Sequence, residues 1–514
     1  MDPELPPERI RYMIGKAGVK LALVAGHFPE GVFDEIRTAD ITTGWQIHPP
    51  DNLTDKPDRS APAYLLFTSG STGFPKGALI GHGSMLNHLI AKAEDCGMDE
   101  GAVVAQTATQ SFDISIWQSL SALIHGGCTV IYPSEVVKDP VRLMQQVDYD
   151  EITVLQVVPS YLAELMEAID NWQGPNLFRR LRCMSTVGEA LPFALTEKWF
   201  DKFFYTRFVN SYGPTETADG ATHHIMTTCP PRPPVPIGKP VRNCRIYVLD
   251  PYGGICLPGV KGEIFIGGAG VGFGYVNDPE KTTAAFVPDP FFPGETMYRT
   301  GDIGRWTNDG WLEFAGRRDA QIKLRGHRIE LGEIEQALYR IPAVREAIAA
   351  LWDDPHGGKI LAAWLTLKSG AEFESAELKH LLATHLPAYM IPGRFIVLDQ
   401  FPLTASGKID RKALPSPILE HKPAGSEEVD ELTTETEKAV AEIWKEILGG
   451  RSYSRDDNFF EVGGHSFKAI KMQARLFKTL NIGLSVREIF SFPTIRELAA
   501  HIDQKSAVAE ELLA

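Results

Sequence analysis

Residues 64–77 read YLLFTSGSTGFPKG. The apolar run Tyr64-Leu65-Leu66-Phe67 predicts a buried strand, and the loop after it has an unusual chemistry. Thr68, Ser69, Gly70, Ser71, Thr72 and Gly73 supply hydroxyls and unencumbered backbone N–H groups, and Lys76 adds a mobile positive charge after Pro75. Glycines let the backbone approach a ligand closely. Donors gathered in this way suit a polyphosphate. The order G-x-x-x-x-G-K-[ST] is missing, so this is not a Walker loop.

The rest of the chain limits what such a loop could serve. With 514 residues there is too much sequence for one core, and several domains are expected. A composition 44% hydrophobic and 23% charged is that of folded units. The net charge of −15, with no Lys/Arg-rich run to offset it, argues against a nucleic-acid partner. No apolar run is long enough to span a bilayer, and the acidic start Met1-Asp2-Pro3-Glu4 has no signal-peptide core, so no membrane partner is expected. Six cysteines without C-x-x-C or metal-ligand spacing predict reduced, buried thiols and a cytoplasmic setting.

Helical and strand-like stretches alternate from residue 84 to about 230, which predicts α/β layering with largely parallel strands. Residues 235–318 turn β-rich, with short runs separated by Gly, Pro and Asp. A boundary is placed at Arg317-Arg318-Asp319, with a compact α+β pattern and a Pro/Glu/Ser linker after it. The last unit is helical: Thr434 and Glu437 form a capping box, and Val440, Ile443, Trp444, Ile447 and Leu448 share one face.

Three further segments carry chemistry. NSYGPTET at 210–217 presents Tyr212, Gly213, Thr215 and Glu216 from a Gly-Pro loop that could equally be a capped turn. MYRTGDIGR at 297–305 places Asp302 in a tight turn, suited to ribose hydroxyls or to a plain Asx-turn. GRRDAQIKLRGHRIELGEIE at 316–335 is dense in cations, including Arg317.

In this order the segments are far more specific than any one alone. The chain resembles the adenylation domains of nonribosomal peptide synthetases, within the adenylate-forming superfamily, through residues 66–77, 112–118, 210–217, 262–275, 298–305, 316–335 and 402–414. DNFFEVGGHS at 457–466 looks like the attachment site of a peptidyl carrier domain. The resemblance implies a multidomain α/β protein. Residues 1–318 would be the adenylation core with its β-rich subdomain, 319–415 a small mobile α+β subdomain, 416–432 a linker, and 433–507 a four-helix-bundle carrier. Met1 to Pro6 resembles a motif normally well inside the core, so the core is expected to lack its first part, leaving sheet edges uncovered.

The resemblance further implies ATP-dependent activation of an amino acid as its adenylate, then transfer to a 4′-phosphopantetheine thiol on Ser466. The loop from Thr68 to Lys76 would hold pyrophosphate, Glu216 would bind Mg²⁺, Asp302 and Arg317 would hold the ribose, and Tyr212 would line the adenine. Lys408 would be the mobile catalytic lysine, brought in by rotation about Asp319, and residues 323–326 would face the thiol path in the second state. Asp113 would pair with the substrate α-ammonium, beside Ile114, Trp117, Gln156, Ser185, Val187, Ser211, Asp219 and Gly220. Four polar members of that lining, Gln156, Ser185, Ser211 and Asp219, imply a polar side chain: glutamine first, a basic side chain pairing Asp219 second. The partners implied are a phosphopantetheinyl transferase and a downstream synthetase module or transfer enzyme, with a small activator protein left open. Two other readings stand beside this one: an acyl- or aryl-acid CoA ligase, disfavoured by Asp113 and the fused carrier, and an inactive carrier or docking remnant.

Overall fold

The computed structural model describes residues 1–511, apart from 26–30, 43–56, 71–72, 354–358, 372–374, 405–408, 418–431, 449–451, 460–461, 485–487, 490–491 and positions 4, 35, 369, 463, 465 and 481. The described chain divides into two compact units, residues 1–337 with 380–390, and residues 338–379 with 391–514.

The first unit is built on a seven-stranded sheet. Its parallel strands Val103–Gln106, Cys128–Ile131, Val154–Val157, Cys183–Thr186 and Arg207–Tyr212 alternate with helices Ile114–Leu120, Pro140–Tyr149, Pro159–Asp170 and Phe193–Lys202. Val154–Val157 and Cys183–Thr186 are buried along their whole length, as strands covered on both faces must be. Leu143, Met144, Leu162, Leu165, Met166 and Trp199 fill one side of the sheet. Trp117, Leu89, Ala93 and Cys96 pack with Val104, Val154 and Cys183 in a separate cluster.

The loop-bearing strand Pro62–Thr68 pairs antiparallel with Lys76–Gly81, Thr68 opposite Lys76, at the edge of a three-stranded sheet. It is half-buried rather than buried, because only one of its edges is paired. The β-rich part is a five-stranded sheet of Cys244–Leu249, Gly262–Gly268, Phe286–Pro288, Thr296–Trp306 and Leu312–Arg317. Here the expected tight turn around Asp302 is corrected: Asp302 lies inside the continuous strand Thr296–Trp306, opposite Arg317. The turn-like composition has a local cause. Gly301 takes φ +75°, and the pairing register with the neighbouring strand shifts between Ile303 and Gly304. All six cysteines are free; Cys96, Cys183 and Cys256 are buried, but Cys128 is exposed, against the expectation of buried thiols throughout.

The second unit contains the three-stranded sheet Val344–Asp353, Lys359–Leu367 and Arg394–Val397, with helix Ser375–Ala383 partly in it. Its carrier segment shows three helices among the described residues: Glu435–Leu448, Ser466–Leu480 and Ile495–Glu511. The capping box forms: Glu437 N donates to Thr434 Oγ1 at 3.0 Å, and Thr434 N to Glu437 Oε2 at 3.3 Å. Val440, Ile443, Trp444 and Leu448 then pack against Met472, Leu476, Leu498 and Ile502. No helix of the described residues is long and apolar enough to cross a membrane.

Candidate active site

The first of the expected site clusters is organised by Glu216. A 3-10 turn, Thr215–Thr217, comes after the strand Arg207–Tyr212 and drives this carboxylate into a fully buried position. The turn needs Gly213, because a Cβ there would lie 1.6 Å from the Asp219 carbonyl oxygen. Arg328 Nη1 donates to Glu216 Oε2 at 2.7 Å, the Tyr275 hydroxyl donates to Oε1 at 2.7 Å, and Lys76 Nζ stands 3.2 Å from Oε1. Burial alone would raise the Glu216 pKa, but Arg328 and Lys76 outweigh it and hold the carboxyl well below the usual range. Burial pulls the Lys76 pKa down, against Glu216. The loop itself is tied to the same network: Ser69 Oγ donates to the Arg328 carbonyl at 2.8 Å, and Gly70 N to Glu333 Oε2 at 3.3 Å. Thr68 Oγ1 is buried without a partner. Ser71 and Thr72 lie outside the described residues.

The same geometry bears on the Mg²⁺ expected at Glu216. Mg²⁺ takes near-octahedral oxygen ligands and is usually held by one or two carboxylates with substrate phosphates. Both Glu216 oxygens are engaged by cationic or hydroxyl donors, and no group of three or more metal-ligating side chains occurs among the described residues. The residues as placed do not fit the ion, and no step is routed through it.

In the second expected cluster, Asp302 accepts from the Tyr212 hydroxyl at 2.6 Å and from Arg317 Nη1 at 2.5 Å. Arg317 also reaches Asp319, its Nε to Oδ1 at 2.7 Å, so the expected ribose pair and the expected hinge residue form one chain of contacts. Lys323 Nζ lies 5.5 Å from the Tyr212 ring centre, occupying a face expected to line adenine. Lys323 and Arg328 belong to the hairpin of strands Gln321–Leu324 and His327–Glu330, whose Gly326 N donates to Glu189 Oε1 at 2.9 Å. The hairpin that carries residues 323–326 therefore sits on the site within the first unit.

The third part is the pocket. Asp113 caps helix Ile114–Leu120 by accepting from Ile114 N at 2.9 Å, and helical spacing sets Ile114 and Trp117 on one face. Parallel pairing places Gln156 beside Ser185, and Ser211 lies two residues past Val209, the partner of Ser185. These side chains sit at the carboxyl ends of parallel strands, where open α/β sheets place ligands. Ser185 Oγ donates to Gln156 Oε1 at 2.8 Å. Val187 is buried just past the end of its strand. Asp219, with φ +74°, and Gly220 lie in the turn before strand Thr222–Met226. Burial and the neighbouring Asp219 push the Asp113 carboxyl up to about 7. No basic group comes within 4.0 Å of Asp113 among the described residues.

Sequence reasoning missed four participants: Arg328, Tyr275, His88 and Lys92. His88 and Lys92 lie one turn apart on helix His82–Cys96, both buried. His88 Nε2 stands 3.3 Å from Asp219 Oδ2, and Lys92 Nζ donates to Ser185 and Ser211 at 3.0 and 2.8 Å. The available signal was Lys92 in register with Met85, Leu89 and Cys96 on an otherwise apolar stripe. Lys408 lies outside the described residues. Ser466 is the first residue of helix Ser466–Leu480.

Comparison with known proteins identifies the families of these segments. Residues 1–276 match the AMP-binding enzyme family, 333–408 the AMP-binding enzyme C-terminal domain, and 438–502 the phosphopantetheine attachment site. The chain is 37% identical over 512 residues to tyrocidine synthase 2 of Brevibacillus parabrevis, covering 99% of this chain and 14% of that protein. It is 36% identical over 516 residues to a dimodular nonribosomal peptide synthase of Bacillus subtilis strain 168, covering 98% and 21%. The chain thus spans well under half the length of these relatives. Among solved structures, a holo nonribosomal peptide synthetase protein with adenylation and carrier domains, bound to a vinylsulfonamide inhibitor, matches with TM-score 0.78 and 25% identity over 97% of this chain and 82% of that one. A four-domain nonribosomal peptide synthetase bound to AMP and glycine matches with TM-score 0.55 and 34% identity over 98% of this chain and 37% of that one. The chain belongs to the AMP-binding enzyme family, and its residues 438–502 match the phosphopantetheine attachment site.

Proposed function

We propose that the chain activates an α-amino acid with a polar side chain and loads it onto its own carrier. The observation that carries this reading is Asp113: a carboxylate at the N-cap of helix Ile114–Leu120, raised by burial and by Asp219, without a described cation within 4.0 Å. A substrate ammonium is the group that would complete it.

In the first step an oxygen of the amino acid carboxylate bonds to the α-phosphorus of ATP as the bond to pyrophosphate breaks. Asp113 orients the amino group. The loop from Thr68 to Gly73, with Lys76, receives the leaving pyrophosphate, since its N–H groups and ammonium meet the charge that develops there. Asp302, steadied by Arg317 and Tyr212, takes the ribose hydroxyls. Lys408 bridges the carboxylate and α-phosphate oxygens. The Mg²⁺ expected from the sequence has no place at Glu216 while Arg328 is seated there, and no step is assigned to it. For the second step Ser466 would hold the phosphopantetheine arm, whose thiol would supply the nucleophile for the acyl carbon, giving up its proton as AMP departs and the acyl group passes to sulfur.

The division proposed for these steps is a core through residue 318, a subdomain 319–415 turning about Asp319, a linker 416–432 and a four-helix-bundle carrier 433–507. The partners are the phosphopantetheinyl transferase that modifies Ser466 and a downstream module or transfer enzyme that takes the thioester. The ATP requirement sets the reaction in the cytoplasm.

ATP–pyrophosphate exchange across all amino acids, with aryl and fatty acids alongside, tests the reading. Exchange with an amino acid alone supports it. Exchange with an aryl or fatty acid, or with no acid while Ser466 still accepts phosphopantetheine, overturns it. Lys408→Ala should remove most exchange while leaving Ser466 loading intact.

A further inference from the structure

Buried hydrogen-bond donors without partners gather among the expected pocket residues, on Lys92, Gln156 and Trp117. Lys92 is 1% exposed, and its ammonium has three N–H groups. Two of them go to Ser185 Oγ and Ser211 Oγ, while the ammonium sits 4.9 Å from the Trp117 ring centre. The third has no partner among the described residues. Gln156 Nε2 and Trp117 Nε1 are also buried without partners, on side chains 2% and 0% exposed. The Gln156 oxygen is not available to answer them, because it already accepts from Ser185.

Two carboxylates are engaged by imidazoles: Asp219 Oδ2 stands 3.3 Å from His88 Nε2, and Asp95 Oδ2 is 2.6 Å from Nδ1 of His223, a ring whose pKa burial holds down to about 4. Asp113 is reserved for the substrate ammonium under the function proposed above. Lys92 is then a buried cation with no carboxylate within 4.0 Å among the described residues. Asp219 acts on Lys92 only from beyond that distance, and a buried charge and unpaired donors without close partners are costly in the same place. A ligand group with two acceptor oxygens and a negative charge would answer all of them together.

We infer that the substrate carries a carboxylate side chain, of the aspartate or glutamate kind, with Lys92 as a specificity-determining residue that receives it. A basic side chain would meet the Lys92 ammonium, and a carboxamide would bring an NH₂ group toward these donors.

This inference rests on the amino-acid-activating reading, and the test separates the two. Exchange is measured on the chain with all the standard amino acids and ornithine. An acidic amino acid should exceed its amide by at least about tenfold in kcat/KM, the size of a hydrogen bond to a charged group. Lys92→Met should reduce that ratio severalfold or more, with circular dichroism confirming its fold. An amide, basic or apolar amino acid that matches or exceeds both acids overturns the inference and leaves amino-acid activation standing. So does a folded Lys92→Met variant with an unchanged ratio. If that variant does not fold, the ratio of the unmodified chain decides. No exchange with any amino acid overturns both readings.

Discussion

Two polar regions of the first unit, both buried, are built in opposite ways. Around Glu216 the carboxylate is engaged at both oxygens by Arg328, Lys76 and the Tyr275 hydroxyl, and its pKa falls well below the ordinary range. Around Lys92, donors on Gln156 and Trp117 are left without partners, and elsewhere among the expected pocket residues Asp113 is pushed up to about 7 with no cation within 4.0 Å among the described residues. A closed network is structure that holds itself together. An open one keeps its unmet groups because a ligand completes them, and the surrounding fold carries their cost.

The comparison predicts effects of different size and sign. The largest is at the closed network. Glu216→Ala leaves two buried cations facing each other, so urea unfolding should show a loss of ~3–5 kcal/mol. A loss below about 1 kcal/mol would mean the network is not closed in solution. Next is pH. The Asp113 carboxyl is protonated below its pKa of about 7, and only its ionised form attracts an ammonium, so kcat/KM for the amino acid should fall as pH drops through 7, approaching tenfold per unit. Asp113→Asn should lower kcat/KM and flatten that limb; a limb that persists belongs to another group. Smaller still is the cap of the carrier helix, a closed polar cluster remote from the chemistry. Thr434→Ala should cost about 1 kcal/mol in the carrier's own unfolding and leave amino acid exchange unchanged. The smallest effect is at the open network, and its sign is the informative part. Lys92→Met removes an uncompensated buried charge, so stability should stay within about 1 kcal/mol of the parent or rise, measured by the same urea transition. A loss comparable to that of Glu216→Ala would erase the distinction.

Much of this was legible in the sequence, and the parts that were not share a cause. The alternating α/β pattern, the β-rich stretch and the capping box arise from local rules, and the structure forms them. The pocket residues on adjacent strands could be named because each lies in or near a recognisable segment. Asp302 was misread because Gly301 gives a strand the composition of a turn. Arg328 and Tyr275 could not be assigned to Glu216, because a pairing across 112 or 59 residues leaves no periodic trace. Lys92 did leave one, a cation on an apolar stripe, but its meaning depends on Ser185 and Ser211 arriving from two other strands.

The account's central claim is that the pocket is completed by an α-amino acid, held by its ammonium at Asp113. Pyrophosphate exchange with the preferred amino acid and with its desamino analogue, the same acid lacking only the α-amino group, tests it most directly. The account predicts robust exchange with the amino acid and at least about a hundredfold less with the analogue, the loss expected when a buried charge is left unpaired. Equal exchange with the two would show that Asp113 does not read the ammonium, and would contradict the account at its base.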